Sequence, residues 1–246
     1  VGRPEQQRQT YEQMLKTLGV HDGVLGRLAS WYFSHKKPDL ARKTYARFKN
    51  QIEGLKLIAS SWRQEKKWTK AIEVYHQLES KDEKNSASHT ATIAYVWREA
   101  GKPDNAIKVY QGLLSTDAKN AKSYHWQIAE TLYYAHRWKE AIQAYRGTDS
   151  FPTNYQRMAT CHRRLKQYNE AILLYQQIIG GHEQSAPWAL LQIGFTQEEA
   201  GKKEPAIKTF KSVCARYPKS SYASNAHVHL NNKYKIRVTL GGSKDE

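Results

Sequence analysis

Cysteine, proline and glycine are scarce in this 246-residue chain, with 2, 7 and 14 copies. Two cysteines, Cys161 and Cys214, cannot form a disulfide framework and supply no zinc-ligand spacing. So little proline and glycine excludes collagen-like and loop-dominated classes. Long apolar runs are missing as well. The densest stretch, Ala171 to Tyr175, is five residues long, against the roughly 18 that a membrane-spanning helix needs. No charged segment followed by an apolar one opens the chain, so Val1 starts no signal peptide of that form. Catalytic signatures are lacking too: there is no nucleophile elbow, Walker loop, His-Glu-x-x-His or Gly-x-Gly-x-x-Gly. His227 and His229 lie two apart, which on a helix places them on different faces. Glu198 and Glu199 are adjacent and form no carboxylate pair on one face. The sequence therefore predicts no enzyme, no cofactor and no metal site.

Aromatic and basic residues are plentiful. Tyr (16) and Trp (7) help bring aromatics to 11%, too many for a disordered chain. Lys and Arg number 39 against 23 Asp and Glu, a net charge of +16. The excess sits at the ends: residues 1–50 are net +6, residues 51–200 net +3 and residues 201–246 net +7. Such a surface attracts acidic proteins, anionic lipid or nucleic acid.

A repeat organises the chain. The tetrad Ala-Ile-x-x-Tyr occurs at Ala71, Ala106, Ala141 and Ala171, with Ala206-Ile207-x-x-Phe210 and Ala41-x-x-x-Tyr45 as variants. The alanines are spaced by 30, 35, 35, 30 and 35 residues. Twelve residues before each stands another small residue: Ala29, Ala59, Ala94, Ala129, Ala159 and Gly194. An apolar residue precedes every one of these, from Leu28 to Ile193. Small side chains let two helix backbones approach closely, and an aromatic four residues on shares the face. Breaks such as Gly101-Lys102-Pro103 separate the two small positions, with the stop and start signals of a helical hairpin. Each hairpin is too small to bury its own apolar face, so the hairpins must stack. A longer period of 100 residues is also visible: Glu99-Ala100-Gly101-Lys102 matches Glu199-Ala200-Gly201-Lys202, and Tyr45 pairs with Tyr145. Duplication of a three-repeat block produces such a match, and convergent use of the same consensus can produce part of it.

The pattern resembles the tetratricopeptide repeat (TPR) family over residues 22–221. That resemblance implies an all-α fold, a right-handed α-solenoid of about six TPR hairpins with N- and C-terminal flanking helices. The whole of 1–246 is read as a single array, with repeats at 22–51, 52–86, 87–121, 122–151, 152–186 and 187–221. Residues 1–21 hold an N-terminal helix over 4–18, with Tyr11, Met14, Leu15 and Leu18 on one face. Tyr11 lies 34 residues before Tyr45, so this helix reads as the second half of a repeat cut at its start. Residues 222–246 hold a capping helix to about Tyr234, started by Ser220 or Ser221, then a tail whose last residues, 241–246, are expected to fray.

In that family the first helix of each hairpin lines a concave groove that binds peptides or partner helices. The groove candidates here are Lys56, Arg63, Arg98, Trp126, Tyr133, Tyr134, Arg157, Arg163 and Arg164, diluted by Glu53, Glu99 and Glu130. Arginine suits carboxylates and aromatics give large contact areas. The carboxylate clamp of chaperone-binding members is not expected: Ser60, Thr92 and Ser123 stand where Asn, Asn and Lys would be needed. A second candidate is the basic segment Lys202, Lys203, Lys208, Lys211, Arg216 and Lys219.

The expected function is a non-enzymatic protein-interaction scaffold, a monomer whose partner is a protein or peptide of acidic character. The alternative is RNA binding through the basic, aromatic-bearing surface. Nucleic acid is the less favoured partner, because the basic residues cluster at the ends and leave no continuous positive track. Arg216-Tyr217-Pro218-Lys219-Ser220, followed by Ala223, Ala226 and Leu230, is similar to a segment of bacterial cell-envelope members of the family, the TolA-binding division coordinator and outer-membrane-assembly lipoprotein class. That favours the envelope or periplasm over the cytoplasm.

Overall fold

A computed structural model describes residues 3–241. The described residues form fourteen α-helices and no strand. They fall into two compact units that meet in sequence between Tyr124 and His125.

In the first unit, α1 (Arg3–Leu18) is followed by three hairpins: α2 (Asp22–Ser34) with α3 (Pro38–Tyr45), α4 (Gln51–Gln64) with α5 (Trp68–Lys81), and α6 (Ser86–Glu99) with α7 (Pro103–Thr116). The second unit begins within α8 (Ala121–Tyr134), which pairs with α9 (Trp138–Arg146). It continues with α10 (Thr153–Arg164) and α11 (Tyr168–Gly181), then α12 (Ala186–Glu199) and α13 (Lys203–Arg216). Last comes α14 (Ser221–His229), prolonged by a π-helical turn over Leu230–Tyr234. Helices α2 to α7 recur as α8 to α13 at an offset of 100 residues, within one residue at every bound but one. The shift extends to backbone conformation, since Lys36, Lys66 and Gly101 share left-handed φ values with His136, Lys166 and Gly201.

Those six residues stop the first helix of each hairpin in the same way. The N–H of Lys66 reaches the Arg63 carbonyl at 2.9 Å and that of Lys67 reaches Trp62 at 2.9 Å. The corresponding pair recurs in every hairpin, for example Gly201 to Glu198 and Lys202 to Gln197. This is the paired-bond C-terminal cap that a left-handed residue makes possible.

Packing follows the small residues. All six tetrad alanines and the five first-helix alanines are fully buried. At the sixth first-helix position, a Cβ on Gly194 would lie 2.4 Å from Phe210, so only glycine fits beside that ring. The shortened helices α3 and α9 let the following turn bend back on the next first helix. Gly54 of α4 accepts this closely, since a Cβ there would stand 2.5 Å from the Tyr45 carbonyl. At the matching position Asn154 bonds the Thr148 carbonyl at 2.9 Å.

The first unit also buries a charge. Arg42 of α3 donates to Ser61 at 3.1 Å, to Asp39 at 2.6 Å and to Glu65, with its guanidinium 3.4 Å from the Trp62 ring centre. The second block uses Ile142, Cys161 and Leu165 at the corresponding positions.

The terminal helices differ in part from the sequence reading. On α1, Leu15 is buried and Tyr11 is half-buried in the core cluster that includes α2, but Met14 and Leu18 are exposed. The face predicted from four residues is thus narrower, because a single neighbouring helix covers only part of it. Ser220 caps α14 by accepting from the Tyr222 N–H. Residues 235–241 then return along the last hairpin. Ile236 and Val238 pack on its core, and the Gly241 N–H meets the Cys214 carbonyl at 3.1 Å. The segment expected to fray lies, from residue 242 on, outside the described residues.

Candidate functional site

In the first unit, Arg63 near the end of α4 donates to Glu99 at the end of α6, with Nε–Oε2 at 3.0 Å. Arg63 and Arg98 both approach the Tyr95 ring, at 5.1 and 4.8 Å from its centre. Lys56 stands apart on α4, exposed. A cleft of about 540 Å³ between α1 and α2 is lined by Gln7, Tyr11, Gly23, Gly26 and Arg27 among others.

In the second unit, the candidates gather around a buried carboxylate. Glu130 of α8 is 7% exposed and accepts from the Tyr145 hydroxyl. Arg157 of α10 pairs with it at 2.9 Å and lies 4.9 Å from the Tyr133 ring centre. Tyr133 makes edge contacts with Tyr134, Trp138 and Tyr145, and Trp126 makes one with Tyr145. Burial, then the bond to Glu130, raises the Tyr145 hydroxyl above its ordinary range. Tyr134, by contrast, is 57% exposed, and Arg164 is exposed one residue from Arg163. Arg163 itself is committed, donating to Gln192 at 2.9 Å and to Glu199.

The sequence treated Glu130 as an acidic diluent of the groove, whereas the structure makes it the anchor of the cluster. The available signal was its position fifteen residues before the tetrad tyrosine. Thr160 faces Tyr175 and Ser30 faces Tyr45 at the same separation.

The basic C-terminal candidates are spread along α13 and its flanks. Lys202, Lys203, Lys208, Arg216 and Lys219 are exposed and Lys211 is half-buried. Lys203 and Lys233 both lie near the Tyr234 ring, at 5.7 and 5.8 Å. Cys161 and Cys214 are buried, and burial pushes the Cys161 thiol up to about 12, which removes thiolate reactivity at neutral pH. Among the described residues, no group of His, Cys, Asp and Glu is arranged to hold a metal ion. None of the described helices is long and apolar enough to cross a membrane.

The tetratricopeptide repeat model matches residues 154–185 and 188–220, the last two full hairpins. Those two hairpins are tetratricopeptide repeats. The fold of the chain is shared with the C-terminal part of the TPR repeat-containing protein of Cytophaga hutchinsonii, at a TM-score of 0.57 and 14% identity over 89% of this chain and 92% of that one. MamA is also similar, with a TM-score of 0.49 and 17% identity over 76% of this chain and 97% of that one. No curated protein sequence matches significantly. The TPR hairpins account for the small-residue positions, and the site candidates are side chains that these hairpins leave on first-helix surfaces.

Proposed function

We propose that the protein is a non-catalytic scaffold that binds a peptide or partner helix of acidic character on the first-helix face of its TPR hairpins. The observation that carries this reading is the surface of α8 and α10. Tyr134 stands 57% exposed in edge contact with Tyr133, at 5.5 Å and 90°, and Arg164 is exposed on α10. Tyr133 and Arg157 are held from below by Glu130 and Tyr145, which fixes the platform before a partner arrives. A preformed aromatic surface lowers the ordering cost of binding. The basic segment around α13 is a second contact for the same acidic partner, and charge reversal at Lys208 and Lys211 should lower its recovery.

A photo-crosslinking side chain at position 134, introduced in cells, tests the reading. Adducts are expected from 134 and not from Leu173, which is 59% exposed on the second helix α11. Equal adducts from both positions would remove the first-helix face from the proposal.

A further inference from the structure

The first unit carries a row of tryptophan-backed lysines that its duplicate lacks. In each of its three hairpins, a lysine of the turn between the two helices lies over a tryptophan near the end of the first. Lys37 is 5.7 Å from the Trp31 ring centre, Lys67 is 5.2 Å from Trp62 and Lys102 is 5.3 Å from Trp97. Lys70 adds a second exposed cation 4.6 Å from Trp62. The three turns are tied side by side: Arg42 bonds Glu65 across the first two, and Arg63 bonds Glu99 across the last two.

Lys36 and Lys66 stand at the tips of two of these turns, exposed, with φ of 58° and 56°. A side chain resists that conformation and glycine does not, as Gly101 illustrates in the third turn. Lys166 keeps a cation in the same conformation in the second block, at φ 59°, so these tips add charge to the edge without setting the first unit apart.

The acidic groups near this edge are Glu5, close enough to act on Lys37, Asp39, paired with Arg42, Glu65, paired with Arg42 and Lys67, Glu99, paired with Arg63, and Asp104. Cations near helix C-termini also complement the helix dipole, but that applies equally to both blocks. At the corresponding positions, Trp31, Trp62 and Trp97 become Thr131, His162 and Gln197. Lys67 becomes Gln167 and Lys70 becomes Glu170, while Lys37 and Lys102 keep their charge as Arg137 and Lys202 without a tryptophan beneath. The same fold thus does without the row in its second copy.

We propose that this turn edge of the first unit docks on a membrane surface rich in anionic lipid headgroups. Trp31 is only 5% exposed and stacks on His35 at 3.8 Å. Its ring is thus closed to base stacking, the half-buried Trp62 is covered by Arg42 at 3.4 Å, and only Trp97 keeps part of its ring open beside Lys102. Single-stranded nucleic acid binding relies on open aromatic faces as well as charge, whereas anionic headgroups ask only for cations on a common edge. This site is separate from the first-helix face proposed above, and its test does not depend on that reading.

The test is co-sedimentation of the full chain with vesicles of phosphatidylcholine alone and with one quarter phosphatidylglycerol, at about 0.1 M salt. Binding is expected only with the anionic lipid, and it should weaken as salt rises. Lys36→Gly with Lys66→Gly removes two tip cations while relieving their backbone, so a loss of binding cannot come from unfolding. That pair should weaken binding by roughly tenfold or more. Lys66→Gly alone should weaken binding several-fold, whereas Lys166→Gly, the matching single change in the second block, should leave it unchanged. Equal losses from these two single variants would show that net charge alone is responsible and overturn the proposal. So would failure of the chain to bind anionic vesicles, or a uridine 30-mer bound more tightly than the vesicles and weakened by the same pair.

Discussion

Arg163 reaches from α10 to Glu199 at the end of α12, with Nε–Oε2 at 3.1 Å. One hundred residues earlier, Arg63 holds Glu99 in the same way at 3.0 Å. Each arginine also faces a tetrad tyrosine twelve residues on, Tyr175 or Tyr75. Two residues that look like ligand contacts in the sequence are thus fasteners between consecutive first helices. Partly exposed pairs of this kind contribute little individually, about 0–1 kcal/mol. Each links two consecutive first helices across the surface between them.

Glycine positions should respond in opposite directions. Gly194→Ala places a methyl 2.4 Å from Phe210 and should destabilise by about 1–3 kcal/mol. Gly112→Ala, in the interior of α7 with open space around it, should stabilise by about 0.5–1 kcal/mol. Urea melts of the two variants measure both.

The left-handed caps make a second test. Gly101→Ala and Gly201→Ala, at φ of 70° and 75°, should each cost about 1 kcal/mol. Lys66→Gly and Lys166→Gly should gain stability, because the same conformation is then unstrained. Thermal midpoints that fall for the lysine changes would contradict the cap geometry.

Ala106 is fully buried where α7 meets its neighbours. Ala106→Leu should lower stability by about 1–3 kcal/mol, since the extra methylenes must push the helices apart. A wild-type melting curve would be incompatible with that close contact.

Acid should loosen the turns between hairpins. His89, then Asn85, holds the Asp82 carboxyl below its usual range, and Asn120 with Tyr124 does the same for Asp117. Burial, then the contact with Asp117, pushes the Tyr124 hydroxyl up to about 12. A carboxyl depressed in the folded state binds fewer protons there than in the unfolded chain. Its stabilisation is therefore present above the unfolded value near pH 4 and is lost as pH falls below it. Urea midpoints between pH 6 and pH 2.5 should show this loss. The Asp82→Asn, Asp117→Asn double variant should be weaker at pH 6 and flatter towards acid.

The hairpins were legible in the sequence because their signals are local. Alanine at a close contact, an aromatic one turn later and a glycine or proline at the break all act within about twelve residues. The 100-residue shift was visible for the same reason, since each copy repeats the same local rules. The fate of the polar side chains was decided only in three dimensions. Glu130 meets Tyr145 and Arg157 from fifteen and twenty-seven residues away, and Arg163 meets Glu199 from thirty-six. Trp62 comes under Arg42 only when the first two hairpins stack. Periodicity assigns a residue to a helix face, but whether its charge meets water or a partner depends on which neighbour that face receives, and that is set by the stacking of hairpins.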